Sequence, residues 1–201
     1  MSESRRRKAE IAEIKRAHQQ WLDGLSTAER VVAEVCERAY VNIVERRGLV
    51  AGCYLLAFFL HELFEEKHGI STELVVGWIN DGEWSGVASH AWLETNGKKI
   101  DLALGRMDMP EAQPTGDVII LDHVLRRGAA HYTYYREAPA DATAAIEAGI
   151  QSGELPRWIV DSKNTEHAHV LELSKTREGV KTYLLGAPSD RAYSALARAV
   201  D

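Results

Sequence analysis

Residues 89–104 contain two strand-like runs joined by Asn96-Gly97, a pattern that restricts the possible folds to those with a β-hairpin here. Asn-Gly favours a two-residue type I′ turn, because both central residues of that turn need a positive φ. The turn places Thr95 opposite Lys98 and so sets the register of the other pairs, including a cross-strand ion pair between Glu94 and Lys99. One face of this hairpin is then entirely apolar and consists of Ala91, Leu93, Ile100, Leu102 and Leu104. A shift of one residue would scatter that set, so the sequence predicts one register with one buried face.

The same register brings a histidine and an aspartate together on the opposite face. His90 and Asp101 are diagonal neighbours there, with Cβ atoms about 7–8 Å apart. A carboxylate in that position selects one imidazole tautomer and stabilises the protonated ring. Trp92 lies beside both residues, and we expect it to screen them from water. The hairpin therefore predicts a His–Asp pair suited to acid–base chemistry.

A strongly apolar segment, residues 53–67, precedes the hairpin. Its first two turns are apolar on almost every side, which is typical of a helix buried in the centre of a fold, and Gly69 is a suitable C-cap. Cys53 then lies at the start of this helix, where unpaired amides and the helix dipole stabilise a thiolate. Gly52 leaves the backbone open to a substrate, and the first-turn amides can receive an oxyanion. Cysteine at a helix start, followed by His90 and Asp101, is an arrangement for nucleophilic acyl transfer.

Three short segments resemble the motifs of the transglutaminase-like superfamily. They are Ala51-Gly52-Cys53-Tyr54, His90-Ala91-Trp92-Leu93-Glu94 and Asp101-Leu102-Ala103. The resemblance covers about residues 46–105, under a third of the chain. Tyr54 stands where the family often has tryptophan, and no glutamine lies just upstream of Cys53 as a papain-style oxyanion donor.

This resemblance implies a papain-like core with a Cys53, His90 and Asp101 triad. It implies that Cys53 is the nucleophile, His90 the base and Asp101 the residue that orients it. We expect a cysteine-dependent hydrolase or acyltransferase that forms a thioester on Cys53, acting on a peptide, a protein or a small amide or thioester. Tyr54, Trp84 and Trp92 are the candidate substrate-binding residues. The alternative is a catalytically inactive transglutaminase-like domain that binds a peptide or a partner protein in the same cleft.

Sequential antiparallel strands with helices gathered at the ends predict an α+β fold in a single domain, 1–201. We divide it into an N-terminal helical flank (1–48), a catalytic core (49–136) and a C-terminal α/β extension (137–201). A helix over residues 4–22 and a second helix opened by the capping box of Ser26 and Glu29 form the flank. We predict strands at residues 73–79, 89–95, 98–104, 117–121, 130–136, 167–175 and 180–185. In the extension we also predict a helix at 141–151 and a closing helix from residue 189.

Composition excludes several classes of protein. The 201 residues carry a net charge of −6, which argues against a general nucleic-acid-binding surface. The longest strongly apolar stretch, residues 54–60, is far shorter than the roughly 20 residues that a membrane helix needs. Two cysteines make no disulfide framework and no secretory signal is visible, so we expect a cytoplasmic protein without a membrane partner. No glycine-rich phosphate loop and no strong metal motif appear, so we expect no cofactor.

Other candidate residues have simpler explanations. Cys36 lies on the apolar stripe of its helix and is predicted to be a core residue. His61 and His68 are seven residues apart, which does not match the His-Glu-x-x-His zinc pattern. Tyr132, Tyr134 and Tyr135 are at strand spacing and are explained by packing.

Two segments keep alternative interpretations. On the predicted strand 167–175, His167 and His169 would share one face and offer a metal site, an alternative to a purely structural role. The polar loop over residues 80–86 carries Trp84. It is either a lid that closes over an acyl substrate or a surface hairpin tip.

Overall fold

The computed structural model of the chain describes residues 3–108, 110–111 and 113–201. Over these residues the protein combines seven α-helices with a curled antiparallel sheet of six strands. The helices are α1 (Glu3–Asp23), α2 (Thr27–Ala39), α3 (Cys53–Leu63), α4 (Ala140–Ser152), α5 (Arg157–Ser174), α6 (Arg177–Leu185) and α7 (Tyr193–Val200). The strands are β1 (Glu73–Asn80), β2 (Ala88–Thr95), β3 (Lys98–Asp101), β4 (Val118–Ile120), β5 (His123–Arg126) and β6 (Thr133–Tyr135). The predicted mixture of helices with an antiparallel sheet is confirmed.

The sheet has the strand order β5-β4-β3-β2-β1-β6. Sequential strands pair from β1 to β5, and β6 returns to pair with the free edge of β1. The strand β5 was not predicted, and the predicted strand 98–104 ends at Asp101, beyond which Ala103–Gly105 forms a short 3₁₀ turn. The hairpin of β2 and β3 therefore lies near the centre of the sheet.

The predicted register of this hairpin is confirmed. Leu93 pairs with Ile100, Glu94 with Lys99 and Thr95 with Lys98, and Asn96 and Gly97 both have positive φ. The apolar set is buried as expected, although Leu104 lies in a smaller second cluster with Ile79 and Tyr132.

The predicted ion pair between Glu94 and Lys99 is wrong. Glu94 instead accepts from Arg136, at 2.8 Å. The Lys99 ammonium lies 3.5 Å from the centre of the Tyr134 ring. Both side chains are long enough to reach past each other, to Tyr134 on β6 and to Arg136 just after it, so the register of the backbone did not decide the charge pairing.

Helix α3 is the central helix of the fold, as its sequence indicates. Phe58 and Phe59 are fully buried, and the helix packs against β1, β2 and α6. It continues through a π-helical segment, Phe64–His68, and ends at Gly69 in the left-handed conformation, which is the predicted C-cap. The burial of α3 on several sides holds its first residue, Cys53, in a fixed position.

The N-terminal helices differ in how closely they pack. The predicted capping box opens α2: Ser26 Oγ accepts from the amide of Glu29, and the Glu29 carboxylate accepts from the Ser26 amide. One face of helix α2 is buried in the core, and the helix continues through a π-helical segment, Tyr40–Arg46. The predicted first helix is present as α1, but its residues Ile11 and Ile14 are exposed. Its last turns contact the rest of the fold, where the ring of Trp21 stacks on His123 with centroids 4.2 Å apart.

The C-terminal region, 137–201, is helical throughout, so the predicted α/β extension is wrong. The segments predicted as strands at 167–175 and 180–185 lie in α5 and α6. Their buried residues recur at spacings of three and four, His167 with Val170 and Val180 with Leu184, which is the helical period. Side chains of α5, α6 and α7 belong to the same core cluster as α2, α3 and the sheet.

Candidate active site

Cys53 is the first residue of α3, and the turn before it has an unusual backbone. Ala51 has a φ of 49°, in a region that non-glycine residues rarely adopt. Gly52 is the N-cap, and a Cβ added there would lie 2.6 Å from Cδ2 of Leu49. This tight approach explains why glycine precedes the cysteine. Among the described residues no side chain caps the first turn of α3, so its first amides are not engaged by a capping group.

His90 and Asp101 form the hydrogen bond that the hairpin register predicts. The distance from His90 Nε2 to Asp101 Oδ2 is 2.7 Å, and both residues are 3% exposed. Cys53 and His90 line the same end of one cavity, and the charge of Cys53 acts on the imidazole. Because Nε2 is engaged by the carboxylate, Nδ1 is the ring nitrogen left for the sulfur. The three predicted triad residues are therefore brought together.

Tyr134 and a backbone amide complete the environment of the carboxylate. The Tyr134 hydroxyl donates to Asp101 Oδ2 at 2.8 Å, and the amide of Ala103 donates to Oδ1 at 2.9 Å. The hydrogen bond from the Ala103 amide forms because the chain leaves β3 at Asp101 and turns into the 3₁₀ segment. The strand spacing of Tyr134 predicted packing alone. The signal for its further role was that a buried phenol normally finds a hydrogen-bond partner.

The electrostatics of this group favour a charged pair. Burial by itself would lower the pKa of His90, but the charges of Asp101 and Cys53 outweigh it, so the pKa of His90 is raised well above its ordinary value. Burial would likewise raise the pKa of Asp101, but His90 and the donors Tyr134 and Ala103 outweigh it and lower that pKa. Burial, followed by the charge of Asp101, raises the pKa of Tyr134, so this phenol keeps its proton and remains a donor. The imidazolium form of His90 is thus stabilised.

A second chain of polar side chains, which sequence analysis missed, runs beside Cys53. The hydroxyl of Tyr54 is hydrogen-bonded to Ser89, and Ser89 Oγ also contacts Nδ1 of His167. The His167 ring stacks on Trp78, with ring centroids 4.2 Å apart, and burial lowers its pKa. This chain joins α3, β2 and α5. No local pattern relates residues so distant in sequence, and only their positions beside Cys53 and His90 offered a signal for Tyr54 and Ser89.

A cavity of about 450 Å³ opens beside the sulfur. Cys53, Tyr54, Ser89 and His90 line it at one end. Its other walls come from the loop before β2, from the segment after β3 and from α4 and α5. A substrate placed in this cavity has direct access to Cys53.

The predicted substrate-binding residues separate into two groups. Tyr54 and Trp84 line the cavity, as expected. Trp92 does not: it is 2% exposed, stacks near His90 with ring centroids 6.4 Å apart, and donates from Nε1 to Glu94 at 2.8 Å. We therefore correct its expected role from substrate contact to packing behind the His90–Asp101 pair, which agrees with the expectation that it screens them from water.

The loop over residues 80–86 is organised by its own side chains. Asn80 Nδ2 donates to the carbonyls of Trp84 and Gly86, and Asn80 Oδ1 accepts from the amide of Gly82 at 2.7 Å. Asp81 accepts from the amides of Glu83 and Trp84. The loop presents the indole of Trp84 to the cavity, so it is part of the wall and more than a surface tip.

The metal alternative fails on geometry. His167 and His169 lie on a helix, where residues two apart point in different directions, so the shared strand face does not exist. His167 is buried and His169 is exposed. Within the described parts of the chain, no cluster of three or more histidine, cysteine or acidic side chains is arranged to hold a metal ion.

The other cysteine and histidines have the structural settings expected of them. Cys36 is fully buried in the core, and burial raises the pKa of its thiol. Nδ1 of His61 is hydrogen-bonded to Thr72 at 2.8 Å. Only Cys53 therefore combines a thiol with an adjacent imidazole and an open cavity, among the residues that the structure describes.

Comparison with known proteins gave no match to a family model, to a curated protein or to a solved structure. Among residues 3–108, 110–111 and 113–201, no helix has both the length and the apolar character that crossing a bilayer requires.

Proposed function

We propose that this protein is a cysteine-dependent enzyme with a transglutaminase-like, papain-like site, which transfers an acyl group through a thioester on Cys53. The observation that carries the proposal is the buried His90–Asp101 pair next to a thiol at the end of a cavity. A buried ion pair contributes little net stability to a fold, since an apolar pair of similar volume often stabilises it equally well. It is well suited to hold an imidazole in one tautomer beside a nucleophile.

The first half of the reaction forms the thioester. The Cys53 thiol transfers its proton to Nδ1 of His90, and the sulfur attacks the carbonyl carbon of an amide, ester or thioester. First-turn amides of α3 stabilise the oxyanion. The bond from the carbonyl carbon to the leaving group breaks, and His90 returns the proton to that group.

The second half releases the acyl group. His90 removes a proton from water or from an amine, and the resulting nucleophile attacks the thioester carbon. The carbon–sulfur bond breaks and Cys53 recovers a proton from His90, leaving a carboxylic acid or a new amide. Asp101 remains ionised throughout and keeps Nε2 engaged, because Tyr134 and Ala103 stabilise its charge.

Trapping the intermediate tests the proposal. The protein is incubated with a panel of p-nitrophenyl esters and p-nitroanilides, and its intact mass and peptide map are recorded. We expect one acyl adduct on Cys53, no adduct there in Cys53→Ala, and strongly reduced acylation in His90→Ala. Cys36→Ala is the matched control, because this buried cysteine is remote from the cavity lining, and it should acylate like the natural protein.

Two results would contradict an enzymatic role. The first is no adduct at any cysteine with any ester or anilide of the panel. The second is reaction of Cys53 with iodoacetamide no faster than that of a free thiol at neutral pH. Ligand binding that persists unchanged in Cys53→Ala, without any adduct in the natural protein, would favour the binding-module alternative.

A further inference from the structure

The cavity beside Cys53 has a composition that selects one kind of group. Its walls away from the sulfur are mainly apolar, including Trp84, Leu104, Ile146, Leu155 and Val160. Three charged residues also line it: Asp108, which is exposed in the segment after β3, and Lys163 and Glu166 on α5, which pair with each other at 2.9 Å. Because Lys163 and Glu166 neutralise each other and Asp108 is exposed to solvent, the cavity offers no buried, isolated charge to bind a charged ligand. It favours an uncharged, apolar group.

The volume of the cavity indicates how large that group is. Its 450 Å³ is three times the roughly 150 Å³ of an apolar cavity known to hold a single benzene ring. An acetyl group would leave most of this space unfilled and most of the apolar wall in contact with water. A group with two fused rings, or a branched chain of similar bulk, would cover much of the wall.

The far wall of the cavity is attached to the catalytic group by side-chain contacts. His167 on α5 contacts Ser89, the neighbour of His90, and stacks on Trp78 of β1. Ser89 in turn holds the hydroxyl of Tyr54, the neighbour of Cys53. These contacts fix α5 relative to the sulfur, so the cavity is formed before a ligand enters.

The position of the cavity indicates which part of the substrate it receives. The leaving group must depart and water or an amine must enter while the acyl group stays on the sulfur. A walled cavity that begins at Cys53 therefore suits the group that remains, and the solvent side suits the groups that exchange.

We infer that the cavity is the acyl-binding site and that it selects substrates with a large, uncharged, apolar acyl group, aromatic or branched. The inference depends on the proposed acyl transfer, because it assigns the cavity to one of that reaction's two groups. It goes further in naming the chemical class of the donor and in giving α4 and α5 the role of setting specificity.

The test varies the acyl group with the leaving group held constant. Acetyl and 2-naphthylacetyl p-nitrophenyl esters are compared as kcat/KM divided by the uncatalysed rate. In parallel, calorimetry measures the binding of acetamide and 2-naphthylacetamide to Cys53→Ala, which cannot form a thioester. We expect the naphthyl compound to be preferred at least tenfold in both measurements.

Substitutions in the cavity walls test whether the preference for the naphthyl compound arises in the cavity. Leu155→Gln places a polar group in the cavity, and Val160→Phe narrows it; both should reduce the naphthyl preference severalfold. Leu185→Gln is the matched control, since Leu185 is 85% exposed on α6 and outside the cavity lining, and its preference should not change. Circular dichroism and thermal unfolding of each variant show that it is folded.

The outcomes separate this inference from the proposed function. Acylation of Cys53 at equal efficiency with both esters, and no binding preference, overturns the acyl-site inference and leaves the enzymatic proposal standing. Selective naphthyl binding without any adduct overturns the enzymatic proposal and, with it, the acyl assignment. A preference that both wall variants keep overturns the placement of the acyl group in this cavity.

Discussion

At the scale of single residues, the candidate site depends on how one carboxylate is held. Asp101 accepts from His90, Tyr134 and the amide of Ala103, so its two oxygens have three donors. This set of donors is what allows a carboxylate that is 3% exposed to stay ionised. The raised pKa of His90 is a consequence, because a fixed negative charge lies 2.7 Å from its ring.

Stability should depend on pH through this pair. The raised pKa of His90 contributes stability that is fully present below about 6.5, the ordinary histidine value, and is lost as pH rises through the folded-state pKa. The lowered pKa of Asp101 contributes stability that is present above about 3.9 and is lost as pH falls through its folded-state value. Both contributions are complete only between these two limits.

The test compares Cys53→Ala with the double variant Cys53→Ala/Asp101→Asn, so that the sulfur does not titrate. The free energy of unfolding in urea is measured from pH 6 to pH 9. Above pH 6.5 the single variant should lose stability relative to the double variant by up to about 1.4 kcal/mol per pH unit. Asp190→Asn, an exposed control in the same background, should keep the slope of the single variant. Parallel curves for the single and double variants would contradict the pairing.

Tyr134→Phe tests the second donor to the carboxylate. The ring and its packing remain, but the hydrogen bond to Asp101 is lost, and a hydrogen bond to a charged group contributes about 1.5–3 kcal/mol. We expect a loss of this size in the free energy of unfolding. Tyr135→Phe is the neighbouring control, because its hydroxyl makes no hydrogen bond within the described residues, and it should change stability by less than about 0.5 kcal/mol. Equal losses in the two variants would show that Tyr134 acts through packing alone.

At the scale of elements, two hairpins of the same sheet show what a local pattern reveals. The sequence predicts the turn at Asn96-Gly97 between β2 and β3, because both residues tolerate positive φ. Leu121 and Asp122 between β4 and β5 also have positive φ, although leucine is rarely found in that conformation. Asp122 is held there by tertiary contacts, since its carboxylate accepts from the Lys99 amide and its own amide donates to the Lys99 carbonyl. Sequence patterns therefore identified the first turn and missed β5.

A pair of glycine substitutions tests the strain at the first turn. Gly97 has a φ of 73° and nothing within 4 Å of an added Cβ, so Gly97→Ala changes only the backbone energy. We expect it to lower the free energy of unfolding by about 1–2 kcal/mol, the cost of a left-handed L-residue. Gly186 has a φ of −76° and space for a methyl group, so Gly186→Ala should be neutral or stabilising by up to about 1 kcal/mol. Chemical denaturation of both variants measures the difference, and equal effects would contradict the assigned turn.

At the scale of the whole molecule, the C-terminal helices belong to the same core as the candidate catalytic elements. Leu184, Leu196 and Val200 are buried in one cluster with α3 and the sheet. The division into flank, core and extension that the sequence suggests therefore does not correspond to separate hydrophobic cores. Helix α5 also supplies a wall of the cavity, which links the C-terminal region to specificity in the proposed function.

If the protein has a single cooperative core, a substitution of a core residue far from the candidate site should destabilise the entire domain. Leu196 on α7 is 1% exposed, so Leu196→Ala should lower the free energy of unfolding by about 2–5 kcal/mol. Leu185→Ala, on the exposed side of α6, should change it by less than about 0.5 kcal/mol. Tryptophan fluorescence and far-ultraviolet circular dichroism should report one coincident transition in the natural protein. Two separated transitions, or a Leu196→Ala transition confined to the C-terminal helices, would contradict the single core.

Features of the protein that depend on neighbours in the chain could be predicted from the sequence. The β2–β3 register, the capping box of α2, the buried character of α3 and its Gly69 cap follow from spacing and local conformational preference. The His90–Asp101 contact belongs to the same class, because eleven residues and a two-residue turn determine it. By contrast, the segments 167–175 and 180–185 were predicted as strands but fall on α5 and α6, since short apolar patterns fit a period of two as well as one of three to four.

The remaining features depend on contacts between residues that are distant in the sequence. The contacts of Tyr134 with Asp101, and of His167 with Ser89, join residues 33 and 78 positions apart. No local period relates such residues; they meet because several helices and the sheet bury their apolar faces together. The cavity arises in the same way, between elements that are remote along the chain. Local chemistry thus determined which residues could react, and packing determined what they face.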